Sequence, residues 1–402
     1  MQVFQEEGGG PVDGDISFTP SLISHILEVT GPIKVPEYGE TITAQNLEDR
    51  LHYYQQNYTA IAIERQKSGI NNTSARKSFT TLVGRLLLDR VRHLPVKQLI
   101  TILKGAIKDI QSRDLEIYFT NPAAEGWLVA HGYSGAMDTF TRQDGFMVVQ
   151  ANISISKASQ YVHTTLHDDI TLDAQGGATH NLTITLTYQQ TGPVYGPDTY
   201  ADYIRVYAPA SATLLGGDGF DTGQPLCKPT APGTGGKGGT GGGNGGGSGG
   251  GAGGTGGSGG TTMGCDQFKM SFPSNARYCP SGNYSLGLRG GVNTPWPIDK
   301  LGPPTARTSD LPGRAMWGGL TETPKNCISS IWLSWYVPHV VKTGIGQSPY
   351  SLLIQKQGGY IPSVELTIDT SQVPIKGLKP FSYTGNLIAD KLFALPVLKK
   401  KN

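Results

Sequence analysis

The sequence predicts an α+β protein: an N-terminal α/β domain followed by an antiparallel β-sandwich that carries a glycine-rich insertion. Three observations lead there. Apolar residues recur at helical spacing between about residues 20 and 110, and beyond about residue 145 the period changes to two. Residues 233–260 hold 20 glycines in 28 positions, a composition from which no packed core can form.

In chain order, a short apolar strand over 13–16 leads into Thr19-Pro20, an N-cap residue followed by the proline that suits a first helical turn. The helix it opens carries Leu22, Ile23, Ile26 and Leu27 at helical spacing and is stopped by Gly31-Pro32. A strand over 33–35 and a helix from 43 to about 57 follow. Two further helices show apolar stripes, Phe79, Leu82, Val83, Leu86 and Leu87 in one, and Val96, Leu99, Ile100, Leu103, Ile107 and Ile110 in the other. Both stripes read as core. Leu22, Ile26, Leu82, Leu86, Leu99 and Leu103 are expected to pack together in one domain over 10–120, which a strand at 115–119 completes.

After a short helix near 122–130, segments 146–155, 161–172, 182–188 and 203–208 are rich in Thr, Val, Ile and Tyr and are separated by Gly, Asn, Asp and Pro. Strand signals resume at 331–337, 350–355, 363–368 and 392–398. Residues 121–220 and 314–398 therefore read as two parts of one sandwich, with 221–313 an insertion between them. As a flexible coil its glycine run would have an end-to-end distance of about 30 Å.

With 33 Lys plus Arg against 31 Asp plus Glu, the net charge is +2, and no basic stripe is left to neutralise phosphates. Nucleic acid is not an expected partner, and Lys399-Lys400-Lys401 reads as a solvated tail. Only 16% of residues are charged, a balance that suits a β-rich surface protein. Cys227, Cys265, Cys279 and Cys327 are even in number and form no Cys-x-x-Cys pair, which favours disulfides in an oxidising compartment. The first ten residues carry two glutamates and three glycines in place of a signal peptide, and no run of about 20 apolar residues occurs. Two explanations stay open at this point: a cytosolic protein, or a chain that begins downstream of an export signal or anchor.

No set of residues assembles a complete active site. His163 and His167, followed by Asp168-Asp169, would suit a metal on a helix, but in a strand the two histidines stand about 13 Å apart. Asp168-Asp169 is then expected at a turn or edge, and no metal or cofactor is expected. Gly132-Tyr133-Ser134-Gly135-Ala136 lacks the closing glycine of a hydrolase nucleophile elbow and follows a helix where the elbow follows a strand. Asp218-Gly219-Phe220-Asp221 reads as a turn, being short of the acidic ligands of a calcium loop. Trp332, Trp335 and Tyr336 read as core packing, with an exposed sugar platform as the alternative.

Three stretches together resemble the bacterial envelope family called domain of unknown function 4012 (DUF4012). The first is Val12-Asp13-Gly14-Asp15-Ile16 with Thr30-Gly31-Pro32-Ile33-Lys34-Val35-Pro36 and Thr43-Ala44-Gln45-Asn46. The second is Met147-Val148-Val149-Gln150-Ala151-Asn152 with Lys157, leading to Tyr203-Ile204-Arg205-Val206-Tyr207-Ala208-Pro209. The third is Trp335-Tyr336-Val337-Pro338 with residues 350–358. The resemblance implies a membrane-anchored, extracytoplasmic protein of which this chain is a C-terminal portion, reaching the membrane only through an anchor missing here.

Residues 12–119 also resemble the second half of the LytR-CpsA-Psr glycopolymer transferases. That resemblance implies a pyrophosphate site, for which Arg65 and Arg76 are the nearest counterparts, the guanidinium fork being suited to phosphate oxygens. Pro32, Asn71 and Asn72 depart from the family's pattern. The function expected is therefore a non-catalytic protein of the cell envelope that binds or organises surface glycans or protein partners. A truncated or degenerate glycopolymer phosphotransferase and a surface adhesin are the alternatives.

The cysteine spacing yields a prediction. Cys265 should pair with Cys279 inside the insertion and Cys227 with Cys327 across it, closing loops of about 15 and about 100 residues worth roughly 3 and 4.7 kcal/mol in the chain-entropy model. Peptide mapping under non-reducing conditions should recover those two linked pairs. Recovery of Cys227 joined to Cys265 or Cys279 would overturn the nested scheme.

Overall fold

A computed structural model describes residues 6, 8–154, 156–197, 199–220, 277–278, 311–342 and 348–395. The glycine run, the Lys399–Lys401 tail, Asp221 and three of the four cysteines, Cys227, Cys265 and Cys279, lie outside the described residues. Cys327 is fully buried and is not a free thiol.

The N-terminal part begins with β1 (Gly14–Phe18) and ends with β4 (Leu115–Phe119), and these two pair antiparallel in a two-stranded ribbon. Between them lie α1 (Pro20–Thr30), the short hairpin of β2 (Ile33–Val35) and β3 (Glu40–Ile42), and then α2 (Leu47–Gln56), α3 (Tyr58–Ser68), α4 (Asn72–Arg92) and α5 (Val96–Gln111). The helix starts follow capping chemistry. Asn57 accepts from the Ala60 amide and Asn71 from the Ser74 amide, while Thr43 and Asn46 bond reciprocally just ahead of α2. Asn71 thus has a local structural task at the position where the transferase resemblance would want an acid.

Leu27, Ile33, Val35, Ile42, Leu47, Phe79, Val83 and Leu87 form a buried cluster, against which Ile26, Leu82 and Leu86 are partly packed. The stripe on α5 does not join it. Leu99 is half-buried, Leu22 is half-buried on α1, and Leu103 is 65% exposed. The reading of that stripe as core is therefore corrected: periodicity marks an apolar arc, and α5 turns only one flank of its arc onto α1.

After α6 (Pro122–Ala130) come the strands of two stacked sheets: β5 (Asp144–Asn152), β6 (Val162–Leu172), β7 (Ala178–Tyr188), β8 (Tyr200–Pro209), β9 (Thr213–Asp218), β10 (Arg277–Tyr278), β11 (Arg314–Thr323), β12 (Ile328–Val337), β13 (Tyr350–Gln355), β14 (Ser363–Asp369), β15 (Phe381–Asn386) and β16 (Lys391–Leu395). One sheet runs β11-β8-β5-β13-β16 and the other β10-β12-β7-β6-β14-β15, with β9 also on the β12 edge. Neighbours are antiparallel except β13 beside β5 and β14 beside β6, which are parallel. Alternate residues point inward. On β7 that set is Ala178, His180, Leu182, Ile184, Leu186 and Tyr188, all buried. Trp335 joins the inter-sheet core and Trp332 is half-buried, as the packing reading of that aromatic group requires.

One charged cluster sits inside this apolar layer. His180 donates from both ring nitrogens, Nδ1 to Asp168 Oδ2 at 2.8 Å and Nε2 to Asp144 Oδ2 at 3.0 Å, and the Tyr350 hydroxyl donates to the same Asp144 oxygen at 2.7 Å. The imidazole stacks on Trp335 with centroids 4.4 Å apart. Burial by itself would favour the neutral ring, but the Asp168 and Asp144 carboxylates outweigh it and lift the pKa to about 10. Asp168, expected at a turn or edge, lies instead in mid-strand and is fully buried, because the period of two puts it on the face of Leu166 and Ile170. Its neighbour Asp169 faces solvent with His167, which bridges Asp169 at 3.1 Å and Glu365 at 3.0 Å. His163 bonds Ser363, and no grouping of metal-ligating side chains occurs among the described residues.

Removing one member of the buried triad leaves an uncompensated charge, so Asp168→Ala or His180→Ala should destabilise the fold by about 3–5 kcal/mol in urea unfolding. An apolar replacement of all three members should recover most of that loss. The histidine's pKa is raised above its unfolded value of about 6.5, so its contribution is complete below that pH and fades as pH rises through about 10. The urea midpoint of the native chain should fall across that window, and the triple apolar variant should show no such fall.

Candidate functional site

A concavity opens where the β1–β4 ribbon meets the five-stranded sheet, as two adjoining pockets of about 450 and 550 Å³. The ribbon contributes Asp15, Ser17, Glu116 and Tyr118. The segment after α6 contributes Ser134, Gly135, Ala136 and Met137, and the sandwich contributes Met147, Val149, Arg314, Gln357 and Gly358.

The joint beneath this cleft is polar. Arg113, in left-handed backbone geometry at φ 58°, directs its buried guanidinium onto Asp390 through Nε at 2.9 Å and Nη2 at 2.8 Å. That is the two-pronged geometry an arginine makes with a carboxylate. Nη1 donates to the Gly135 carbonyl at 3.1 Å and lies 3.6 Å from Glu116 Oε1. Lys356, 1% exposed, donates to the Ser112 carbonyl at 2.6 Å, and its own amide donates to Asp390 at 2.8 Å. Burial lowers the Lys356 pKa and raises that of Glu116. Gly358 fits because a β-carbon there would stand 2.4 Å from the Arg113 carbonyl oxygen.

Along the cleft wall, Asn121 caps α6 by accepting from the Ala123 and Ala124 amides, which sets Glu125 in the first turn. Glu125 accepts from Ser134 Oγ at 2.7 Å and from the Phe119 amide at 2.9 Å. Ser134 is the serine of the rejected elbow pattern. It does line the cleft, but it follows a helix and the residues lining the two pockets include no histidine. The same segment carries Trp127, 54% exposed, with His131 stacked on it at 4.2 Å and Tyr133 at 6.0 Å.

Arg65 and Arg76 do not line either pocket. Both are exposed, on α3 and α4, and Arg76 Nε donates to the Gln55 carbonyl at 2.8 Å. The residues that build the cleft gave little signal in the sequence: Arg113 and Asp390 are 277 positions apart, and only contact in the fold relates them.

Comparisons with known proteins bear on the first part of the chain. The family model described as a protein of unknown function, DUF4012, matches residues 1–55, the stretch that holds the first of the three motifs, so the resemblance to that family is shown there. No curated protein matches the chain, and no comparison supports the transferase resemblance. Among solved structures, a "putative protease" from Parabacteroides distasonis ATCC 8503 aligns at 9% identity and TM-score 0.15, over 60% of this chain and 37% of its own. A likeness that slight carries no argument about fold or activity.

The exposed placement of the two arginines leads to an expected outcome. Calorimetry with a soluble polyprenyl pyrophosphate analogue and Mg²⁺ should show no micromolar binding. Micromolar binding that is lost in Arg76→Ala would establish the site.

Proposed function

We propose that this protein is a non-catalytic binding component of the cell envelope, extracytoplasmic, whose junction cleft holds a segment of a surface glycan. The observation that carries the reading is the composition of the cleft: carboxylates and hydroxyls, with the 48% exposed aromatic ring of Tyr118 among them. A sugar ring offers hydroxyls to hydrogen-bond acceptors and an apolar C–H face to an aromatic ring, and a cleft that combines the two recognises both. Asp15, Glu116 and Glu125 outnumber the arginines that Asp390 leaves uncompensated, so the preferred glycan is neutral or carries amines, not phosphates or uronates. The envelope location rests on the low charge, the four cysteines with their proposed nested pairing, and the family match over residues 1–55.

Calorimetry with chitohexaose and mannohexaose should detect binding of at least one, weakened about tenfold by Tyr118→Ala, in line with the loss of one stacking contact of about 1.4 kcal/mol. Glu125→Gln should weaken it as well. No binding of either hexasaccharide, or binding indifferent to both substitutions, would sink the proposal.

A further inference from the structure

The α5 helix carries a surface that the cleft does not use. Its apolar arc is wider than its packing requires: Leu99, Ile102, Ala106 and Ile110 are half-buried, whereas Val96, Ile100, Leu103 and Ile107 are 71%, 48%, 65% and 45% exposed. At about 100° per residue these four project along one line, and Lys97, Lys104 and Lys108 form a second line about 90° further round. All three lysines are exposed, and none forms an ion pair among the described residues. The one acid of the helix, Asp109, is buried on the opposite flank, where it bonds His25 Nδ1 at 2.6 Å.

We infer that α5 is a docking surface for an anionic lipid bilayer, lying in the plane of the membrane with its aliphatic line among the acyl chains. The charge pattern selects this occupant. An interfacial helix needs an apolar line that can sink a few ångströms and cations beside it that reach the phosphates, with no acid on the same side. Lysine stems extend along the apolar boundary while their ammonium groups stay at the headgroups, which the flanking position of Lys97, Lys104 and Lys108 allows. α5 packs against α1 and β4, and the four residues of the exposed line lie outside that packing. The inference does not rest on the glycan reading, since none of these residues lines the cleft.

Sedimentation with vesicles of equal parts phosphatidylglycerol and phosphatidylcholine tests it on the full chain. The protein should pellet with these vesicles and much less with phosphatidylcholine alone. Ile100→Glu with Leu103→Glu should abolish pelleting. Replacing the three lysines by glutamine should weaken it roughly a hundredfold, at about fivefold per lysine, and should leave the unfolding midpoint unchanged. Failure to pellet, pelleting independent of phosphatidylglycerol, or indifference to both sets of substitutions overturns the inference. So does a concentration-dependent dimer in sedimentation velocity that Leu103→Glu dissolves, because the occupant would then be a second copy.

Discussion

Arg113 holds the two parts of this molecule in one geometry. Its guanidinium spans from the end of α5 to the turn before β16, and a two-pronged bond to Asp390 fixes both distance and orientation, which a single contact could not do. Lys356 adds a second cation from the sandwich to the carbonyl at Ser112, one residue before Arg113. Because the cleft is bounded on one side by the ribbon and on the other by the five-stranded sheet, its width is set by this joint. The glycine at 358 is part of the same constraint, since any side chain there would push the Arg113 backbone away.

The second ionic feature serves a different purpose. His180 with Asp144 and Asp168 lies between the two sheets, and its partners come from β5 and β6, one in each sheet. Apolar residues of equal volume would pack there with less loss of hydration, so the triad is better suited to selecting one register and one face-to-face alignment than to adding stability. Tyr350 extends the network to β13 and so ties a fourth strand to the same arrangement.

Much of the architecture was legible from local chemistry. The strand at 350–355 and the helix at 122–130 were read with their observed limits, because each is bounded by turn or capping residues. The strand β11 was missed. Its sequence, RAMWGGLTET, has two adjacent glycines and no clean alternation, and it is held by pairing along the full length of β8. The buried triad did leave a trace in the sequence. Asp168 falls in the series Leu166, Asp168, Ile170, Leu172, and His180 in the series Ala178, His180, Leu182, Ile184, so each is a polar residue on an otherwise apolar strand face. The four-residue spacing of His163 and His167 carries no such trace, since both stand on the strand face opposite Asp168. The joint at Arg113 left none, because a pair separated by 277 positions shows only in three dimensions.

The two parallel pairings also bear on the order in which the chain can assemble. β5 lies between β8 and β13, and β6 between β7 and β14, so each sheet has a central strand whose second neighbour arrives about 200 residues later. During synthesis, both β5 and β6 must wait with one edge unpaired while the intervening chain, including the long insertion, emerges from the ribosome. An open edge of that kind is where a nascent chain finds the wrong partner. The strands of residues 350–395 are therefore what close the fold, and a chain that stops short of them would present two unfinished sheets to the quality-control machinery of its compartment.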